Sequence, residues 1–351
     1  MTLESFTSKD IKLLFSGFSI SPLFYNFLID TVPKLDLDLE KLQSNLSFEL
    51  QPILNGERVS IFKAYKLWSA IEKSSDRSNI GLIIADYFTA EKAGLLGELF
   101  FNTENLRESV EMSKRFLAIL INNIHETLED LDDDTVIFYF DIVPRFLMPF
   151  SITECYAKIC YNWVNEYCGT ENFPIKEINF YSSKPKHMKF YTKHFPHTVI
   201  NFNQKRNYAV IKKEVFLTKN RNKNLNYKYK YLLQHAEKIK KEIYSSYTCS
   251  QTIINMILIN MPEGNHSIQQ IAEKLNISVS TIKRKLKNEN TTFKKVTETI
   301  RKKLALSMIK DKNISYEEMS YLLGYSEYSP FFRAFKKWFK HSPSDYRTKF
   351  A

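Results

Sequence analysis

Ser267-Ile-Gln-Gln-Ile-Ala-Glu-Lys-Leu-Asn-Ile-Ser278 runs directly into Val279-Ser-Thr-Ile-Lys-Arg-Lys-Leu-Lys287. The pattern is two short helices joined by a tight turn. Ser267 is placed to cap the first helix, and Gln270, three residues on, completes a capping box. Ile268, Ile271, Ala272 and Leu275 recur at helical spacing and face a core. Asn276 falls at the turn, where the backbone is left-handed and Asn tolerates it. Ser278 caps the second helix. Ile282 and Leu286 point inward, which leaves Ser280, Thr281, Lys283, Arg284 and Lys287 outward. A polar, doubly basic helix shown after such a turn fits the major groove of DNA. There, Arg and Lys can take guanine O6 and N7, and hydroxyl side chains can approach phosphates or bases.

The pattern recurs downstream. Ile314-Ser-Tyr-Glu-Glu-Met-Ser-Tyr-Leu-Leu-Gly-Tyr-Ser326 reads as a short capped helix with Gly324 as the turn residue. Glu327-Tyr-Ser-Pro-Phe-Phe-Arg-Ala-Phe-Lys-Lys-Trp-Phe339 reads as a second helix. Phe331, Phe335 and Phe339 recur every four residues and form core. Tyr328, Ser329, Arg333, Lys336 and Lys337 are free to face outward. The two motifs lie near 267–289 and 315–339. Between them Phe293 to Lys310 reads as one helix of about 18 residues, roughly 27 Å long. One turn of DNA is about 34 Å, so such a rod could hold two helices in successive major grooves.

Ser267 to Arg347 resembles the two-motif DNA-binding domain of the AraC/XylS transcription regulators. The words that carry the likeness are Ile271-Ala-Glu-Lys-Leu, Ser278-Val-Ser-Thr-Ile-Lys-Arg, Arg301-Lys-Lys-Leu-Ala-Leu, Leu323-Gly-Tyr-Ser-Glu, Phe332-Arg-Ala-Phe-Lys-Lys-Trp and the terminal Ser342-Pro-Ser-Asp-Tyr-Arg347. The resemblance implies base reading by Ser280, Lys283 and Arg284 in the first motif and by Tyr328, Ser329 and Arg333 in the second. Thr281, Lys287 and Lys336 complete the candidate DNA-binding set. Three departures stand out. Asn290 and Lys340 occupy positions where the family usually has Gly, and Lys is the costlier of the two in a left-handed conformation. Pro330 sits early in the second recognition helix and moves its expected start toward Ser329.

Charge follows the same division. Residues 1–220 carry 25 Lys+Arg against 28 Asp+Glu, whereas 221–351 carry 25 against 11. Basic charge concentrated in one domain is the footprint of a polyanion partner, nucleic acid first. Over the whole chain of 351 residues the net charge is +11, with 44% hydrophobic and 25% charged residues. Those values exclude wholesale disorder. No window is apolar enough for a membrane span, and the start reads as no secretory signal, so the expected location is the cytoplasm. Cys155, Cys160, Cys168 and Cys249 form no CxxC pair and read as reduced thiols. No metal, cofactor or enzyme activity is expected, because the P-loop, GxGxxG, HExxH and GxSxG patterns are all absent.

Residues 1–211 read as an α+β domain: helices first, then strands interleaved with helices. Val59 to Ile71 and Asn105 to Leu120 are expected helices, with Thr103 as N-cap of the latter. Val136–Ile142, Ile175–Tyr181, Thr198–Phe202 and Tyr208–Ile211 are expected strands. Ser151–Tyr167 and Met188–His194 are expected helices. The polar stretch 212–226 reads as a linker, leading to a basic helix at 227–245 with the stripe Leu232, Ala236, Ile239 and Ile243. Residues 246–351 form the all-α domain with the two helix-turn-helix motifs. The first domain resembles the effector domain of a branch of the same family with an arabinose-binding-like fold, distinct from the jelly-roll type. Val59-Ser through Leu67-Trp-Ser-Ala-Ile-Glu72, Asn79-Ile-Gly-Leu82, Gly94-Leu-Leu-Gly97 and Asn105-Leu-Arg-Glu-Ser109 carry that likeness.

The resemblance implies double-stranded DNA and RNA polymerase as partners, a homodimer, and control by a small effector. Lys184, Lys186, His187 and Lys189 concentrate positive charge and are candidates for an anionic effector, although a solvated basic face explains them as well. Phe138, Tyr139, Phe140, Phe146 and Phe150 could line an apolar pocket or simply be core. A DNA-binding regulator without a ligand, governed by a protein partner or by its own expression level, fits the same residues.

Overall fold

The computed structural model describes residues 15–144, 148–169, 174–186, 188–220, 227–312 and 314–350. The chain falls into two compact units. The N-terminal unit comprises the described residues of Phe18–Ile142 and Met148–Ser245. The C-terminal unit comprises the described residues from Ser246 onward together with Phe15–Gly17 and Val143–Pro144.

The N-terminal unit is α+β. Helices α1 (Pro22–Thr31), α2 (Leu39–Ser44), α3 (Ile61–Ser74), α4 (Ile80–Asp86), α5 (Leu95–Phe101) and α6 (Leu106–Leu120) come first. Two short strands, β1 (Ser19–Ile20) and β2 (Val59–Ser60), pair antiparallel at the start of α3. A five-stranded sheet follows, in the order β3-β4-β7-β5-β6. Its strands are β3 (Ile124–Asp130), β4 (Thr135–Ile142), β5 (Ile175–Asn179), β6 (Val199–Asn201) and β7 (Tyr208–Lys212). Among the described residues only the β5–β6 pair of this sheet is parallel. That pair needs a crossover, and the short helix α8 (Lys189–His194) lies within it.

Local chemistry explains these elements. Ser60 caps α3 by accepting from the Lys63 amide, and Ile61, Tyr65, Leu67, Trp68 and Ile71 are all buried along it. Asn105, not Thr103, caps α6: its Oδ1 accepts from the Glu108 amide at 3.0 Å. Thr103 is wholly buried and donates to the Phe100 carbonyl instead. Helix α7 (Phe150–Cys168) packs closely on α4 because Gly81 has no side chain. A Cβ there would sit 2.0 Å from the Ser151 carbonyl oxygen. The Trp68 indole N–H donates to Ser151 Oγ at 2.9 Å, and Ser151 donates to Glu72 at 2.7 Å.

Strand β3 has no counterpart in the sequence reading. Its residues, Ile-His-Glu-Thr-Leu-Glu-Asp, show no apolar alternation, and it lies at the sheet edge. Its one buried position is an acid, Glu126. The segment expected to be a linker also contributes to this unit. Val215 and Phe216 are buried, and Asn220 donates to the Phe101 and Thr103 carbonyls. Residues 221–226 lie outside the described residues. The basic helix α9 (Tyr227–Ser245) buries Ala236 and Ile243. It lies along α6, where Arg115 pairs with Glu237 and Lys240 sits over the Phe116 ring.

The C-terminal unit is all helical among its described residues: α10 (Cys249–Asn260), α11 (Ile268–Lys274), α12 (Val279–Asn288), α13 (Phe293–Met308), α14 (Tyr316–Leu322), α15 (Tyr328–Phe339) and α16 (Pro343–Phe350). Ile253, Ile257, Ile271, Ile282, Leu286, Ile300, Met308, Leu323, Phe331 and Phe335 form its core. Helix α13 ends at Met308 rather than Lys310 and is about 24 Å long. The residues just before the N-terminal unit belong here too. Gln251 donates to the Ser16 carbonyl and Asn255 to the Gly17 carbonyl, at 2.7 and 2.8 Å.

Candidate nucleic-acid interface

Helices α11 and α12 form the first motif. Ser267 and Gln270 make the reciprocal capping box, and Asn276 adopts φ 52° at the turn. Ser278 accepts from the Thr281 amide at 3.1 Å. Its hydroxyl also lies 2.7 Å from Ser280 Oγ and 2.8 Å from Thr281 Oγ1. These three hydroxyls therefore form one cluster at the positive end of the helix, suited to a phosphate or a base edge. Ile282 and Leu286 are fully buried. Ser280, Lys283, Arg284 and Lys287 are exposed, and Thr281 is half-buried. Lys285, absent from the sequence-based set, is exposed as well.

Helices α14 and α15 form the second motif. Ser315 caps α14 through the Glu318 amide, and Gly324 turns the chain at φ 69°. Helix α15 begins at Tyr328, one residue before Ser329 and so where Pro330 led the start to be expected. Pro330 lies in its first turn, where no intrahelical N–H is needed. Ser329, Arg333, Lys336 and Lys337 are exposed. Tyr328 is half-buried, its ring 5.8–6.5 Å from those of Tyr316, Phe331 and Phe332. Phe339 is only half-buried, with its ring 4.6 Å from that of Phe335.

The two outward faces carry the same residues at the same spacing. In α12 they are Ser280, Arg284 and Lys287; in α15 they are Ser329, Arg333 and Lys336. At 3.6 residues per turn, positions i, i+4 and i+7 form one stripe, here opposite the buried Ile282–Leu286 and Phe331–Phe335 pairs. This repeat is visible in the sequence only once the two helices are aligned on their buried residues.

Helix α13 ties the motifs together. Arg301 donates to the Leu323 and Gly324 carbonyls at 2.8 Å each and to His266 Nε2 at 3.0 Å. Its guanidinium also covers the Tyr325 ring at 4.1 Å. Because Nε2 accepts, His266 carries its proton on Nδ1. Burial first, and then the Arg301 charge, push its pKa down to about 4. The His266 ring fills the space a side chain at Gly324 would need; a Cβ there would approach Cε1 to 2.3 Å. The Trp338 indole donates to Glu298 at 2.9 Å. Arg347 donates to the Ile309, Asp311 and Ile314 carbonyls. Glu289 accepts from the Cys249 and Ser250 amides at 2.7 and 2.9 Å, joining α12 to the start of α10. These amide bonds outweigh its modest burial and lower its pKa.

A model described as a helix-turn-helix domain matches residues 271–349. One described as the N-terminal arabinose-binding domain of the AraC transcription regulator matches residues 48–220. The chain belongs to the AraC family of transcription regulators, in its arabinose-binding branch. This AraC-family protein is similar to the ornithine utilization regulator of Pseudomonas aeruginosa, at 22% identity over 76% of this chain and 78% of that protein. The dual transcriptional regulator Rns of Escherichia coli is 28% identical over 43% of this chain and 52% of its own length. The solved regulator CdpR of Pseudomonas aeruginosa aligns over 93% of this chain and 98% of that one, at 15% identity and a TM-score of 0.46. The protein is a DNA-binding transcription regulator.

The N-terminal unit contains an interior cavity of about 100 Å³. Phe138 and Phe140 line it, whereas Tyr139 and Phe150 do not; Phe146 lies outside the described residues. Lys184, Lys186 and Lys189 are exposed and do not line it. His187 also lies outside the described residues. No described helix is long and apolar enough to cross a membrane.

Proposed function

We propose that this regulator docks α12 and α15 in successive major grooves, as a dimer, under the control of a small effector bound by the N-terminal unit. The observation that carries the docking is the repeated Ser-Arg-Lys stripe on two helices joined by α13. Arg284 and Arg333, together with Lys283, Ser280, Ser329 and Tyr328, read base edges. Thr281, Lys287 and Lys336 hold the phosphates. Phosphate contacts supply most of the affinity and make it fall steeply with salt. The interior cavity suits an effector better than the exposed lysines 184, 186 and 189 do, because enclosure removes ligand surface from water. Contact with RNA polymerase and activation follow the family, in which repression is equally available.

Selection of bound DNA from a random pool tests this reading. A recovered motif with two elements about one helical turn apart supports it. Arg284→Ala and Arg333→Ala should each weaken binding by about 1–3 kcal/mol and relax base preference at one element only. If both variants discriminate target from random DNA as the parent does, the docking is wrong.

A further inference from the structure

The N-terminal cavity has greasy walls and one unsatisfied acid. Phe88, Phe100, Phe138, Phe140 and Trp163 are among the residues around it, and no Lys, Arg or His lines it. Glu126 projects into it from the edge strand β3 and is 6% exposed. Glu126 Oε1 accepts from the Tyr156 phenol and from Ser113 Oγ, the latter at 3.3 Å. Glu126 Oε2 is buried and has no hydrogen-bond partner.

A buried carboxylate oxygen without a partner is costly in a fold that could have placed Leu or Gln there. Strand β3 needs no acid for its pairing, since its ladder to β4 is backbone-made. The arrangement makes sense if something else enters the cavity and donates to Oε2. That donor is not an anion, because the lining offers no cation to meet one. Aromatic faces beside a carboxylate are the surroundings that favour an alkylammonium, which gains from both the charge and the ring quadrupoles.

We propose that this cavity is the effector site and that it takes a small, mostly hydrocarbon primary amine, its ammonium on Glu126 Oε2 and its chain among the aromatic rings. This rests on the reading of the N-terminal unit as the effector-binding part. The volume suits a ligand of benzene size or smaller, since an engineered cavity of about 150 Å³ accepts benzene.

Protonation sharpens the expectation. Burial raises the Glu126 pKa to about 7, against the lowering effect of Tyr156 and Ser113. The other titratable groups near it are Tyr156 and Cys160 on α7 and Glu111 and Lys114 on α6. Burial pushes Tyr156 and Cys160 well up, so both stay neutral near pH 7. Glu111 and Lys114 pair with each other at 2.9 Å. Only ionised Glu126 receives an ammonium. Its ionised fraction rises about tenfold from pH 6 to pH 8, and amine affinity rises with it.

The test is calorimetric titration of the full-length protein with 3-methylbutylamine and butylamine, and with 3-methylbutanol, butanol and butanoate as controls. The expected result is amine binding that tightens about tenfold between pH 6 and pH 8, with alcohols at least tenfold weaker and butanoate silent. Glu126→Gln, which keeps the side chain's shape, should fold with the parent's circular dichroism and lose the amine preference and its pH dependence. Alcohols binding as tightly as amines, a pH-independent amine affinity, or no binding by either amine overturns the proposal. Operator affinity measured with and without amine answers a separate question. Amine binding without any change in operator affinity keeps the ligand site and rejects its control of DNA. An operator response to some other metabolite, with no amine binding, keeps effector control and rejects the amine.

Discussion

Lys340 closes helix α15 at φ 63°, a conformation that costs an L-residue about 1–2 kcal/mol. Glycine would remove that strain and give back part of the gain as chain entropy in the unfolded state. Lys340→Gly should therefore stabilise the C-terminal unit by about 0.5–1 kcal/mol, read as a higher denaturant midpoint at unchanged slope. Asn290, at φ 55°, should respond less, because Asn tolerates that region. His266 makes a pH prediction. Its folded pKa lies near 4 and its unfolded value near 6.5, so folding holds it neutral. The unfolded chain takes up the proton first as pH falls. Stability is then whole above about pH 6.5 and declines toward pH 4, by up to about 3 kcal/mol from this residue. His266→Gln should flatten that part of the pH profile; an unchanged slope would remove the His266–Arg301 contact from the account.

Among the elements, α13 decides how the two motifs meet. Arg301→Met keeps the stem of the side chain and removes its donors, leaving the Leu323 and Gly324 carbonyls unpaired beneath it. A loss of about 2–4 kcal/mol is expected, measured by thermal melting of the full chain. Elements were also where the sequence was most and least readable. The capping box at Ser267, the left-handed turn at Asn276 and the buried pair Ile282 and Leu286 could all be read from residue type and spacing, because each depends on neighbours within a few positions. Strand β3 could not. An edge strand whose only buried residue is an acid has no alternation to detect, and its partners lie on other segments. Thr103 is no cap because its hydroxyl is buried and donates to the Phe100 carbonyl. The start of α15 was legible to within one residue, because Pro330 is accommodated only in a first turn.

At the scale of the whole molecule, the sequence divided cleanly by charge but not by contact. The C-terminal unit also draws in Phe15–Gly17 and Val143–Pro144, and residues 212–220 pack into the N-terminal unit rather than bridging. The candidate DNA-reading face was legible residue by residue, since exposure follows helical period. The cavity was not, because aromatic strands that line a pocket and those that fill a core look alike in sequence. If α13 sets the separation of the two reading helices, one base pair inserted between the two elements of the selected site should reduce affinity by at least tenfold, while changes outside both elements should not. Equal affinity for the lengthened site, in gel-shift titration, would mean that the motifs bind independently.

The clamp from Arg301 to the Gly324 turn has a further consequence. Two heads held at one separation also gauge the winding of the duplex between them. Relaxed and negatively supercoiled templates carry the same bases but differ in twist, and a rigid pair of heads matches only one phase. The expected outcome is a binding optimum at one linking number in a series of closed DNA minicircles, which broadens in Arg301→Met. On that basis this regulator would respond to the torsional state of its promoter as well as to its letters.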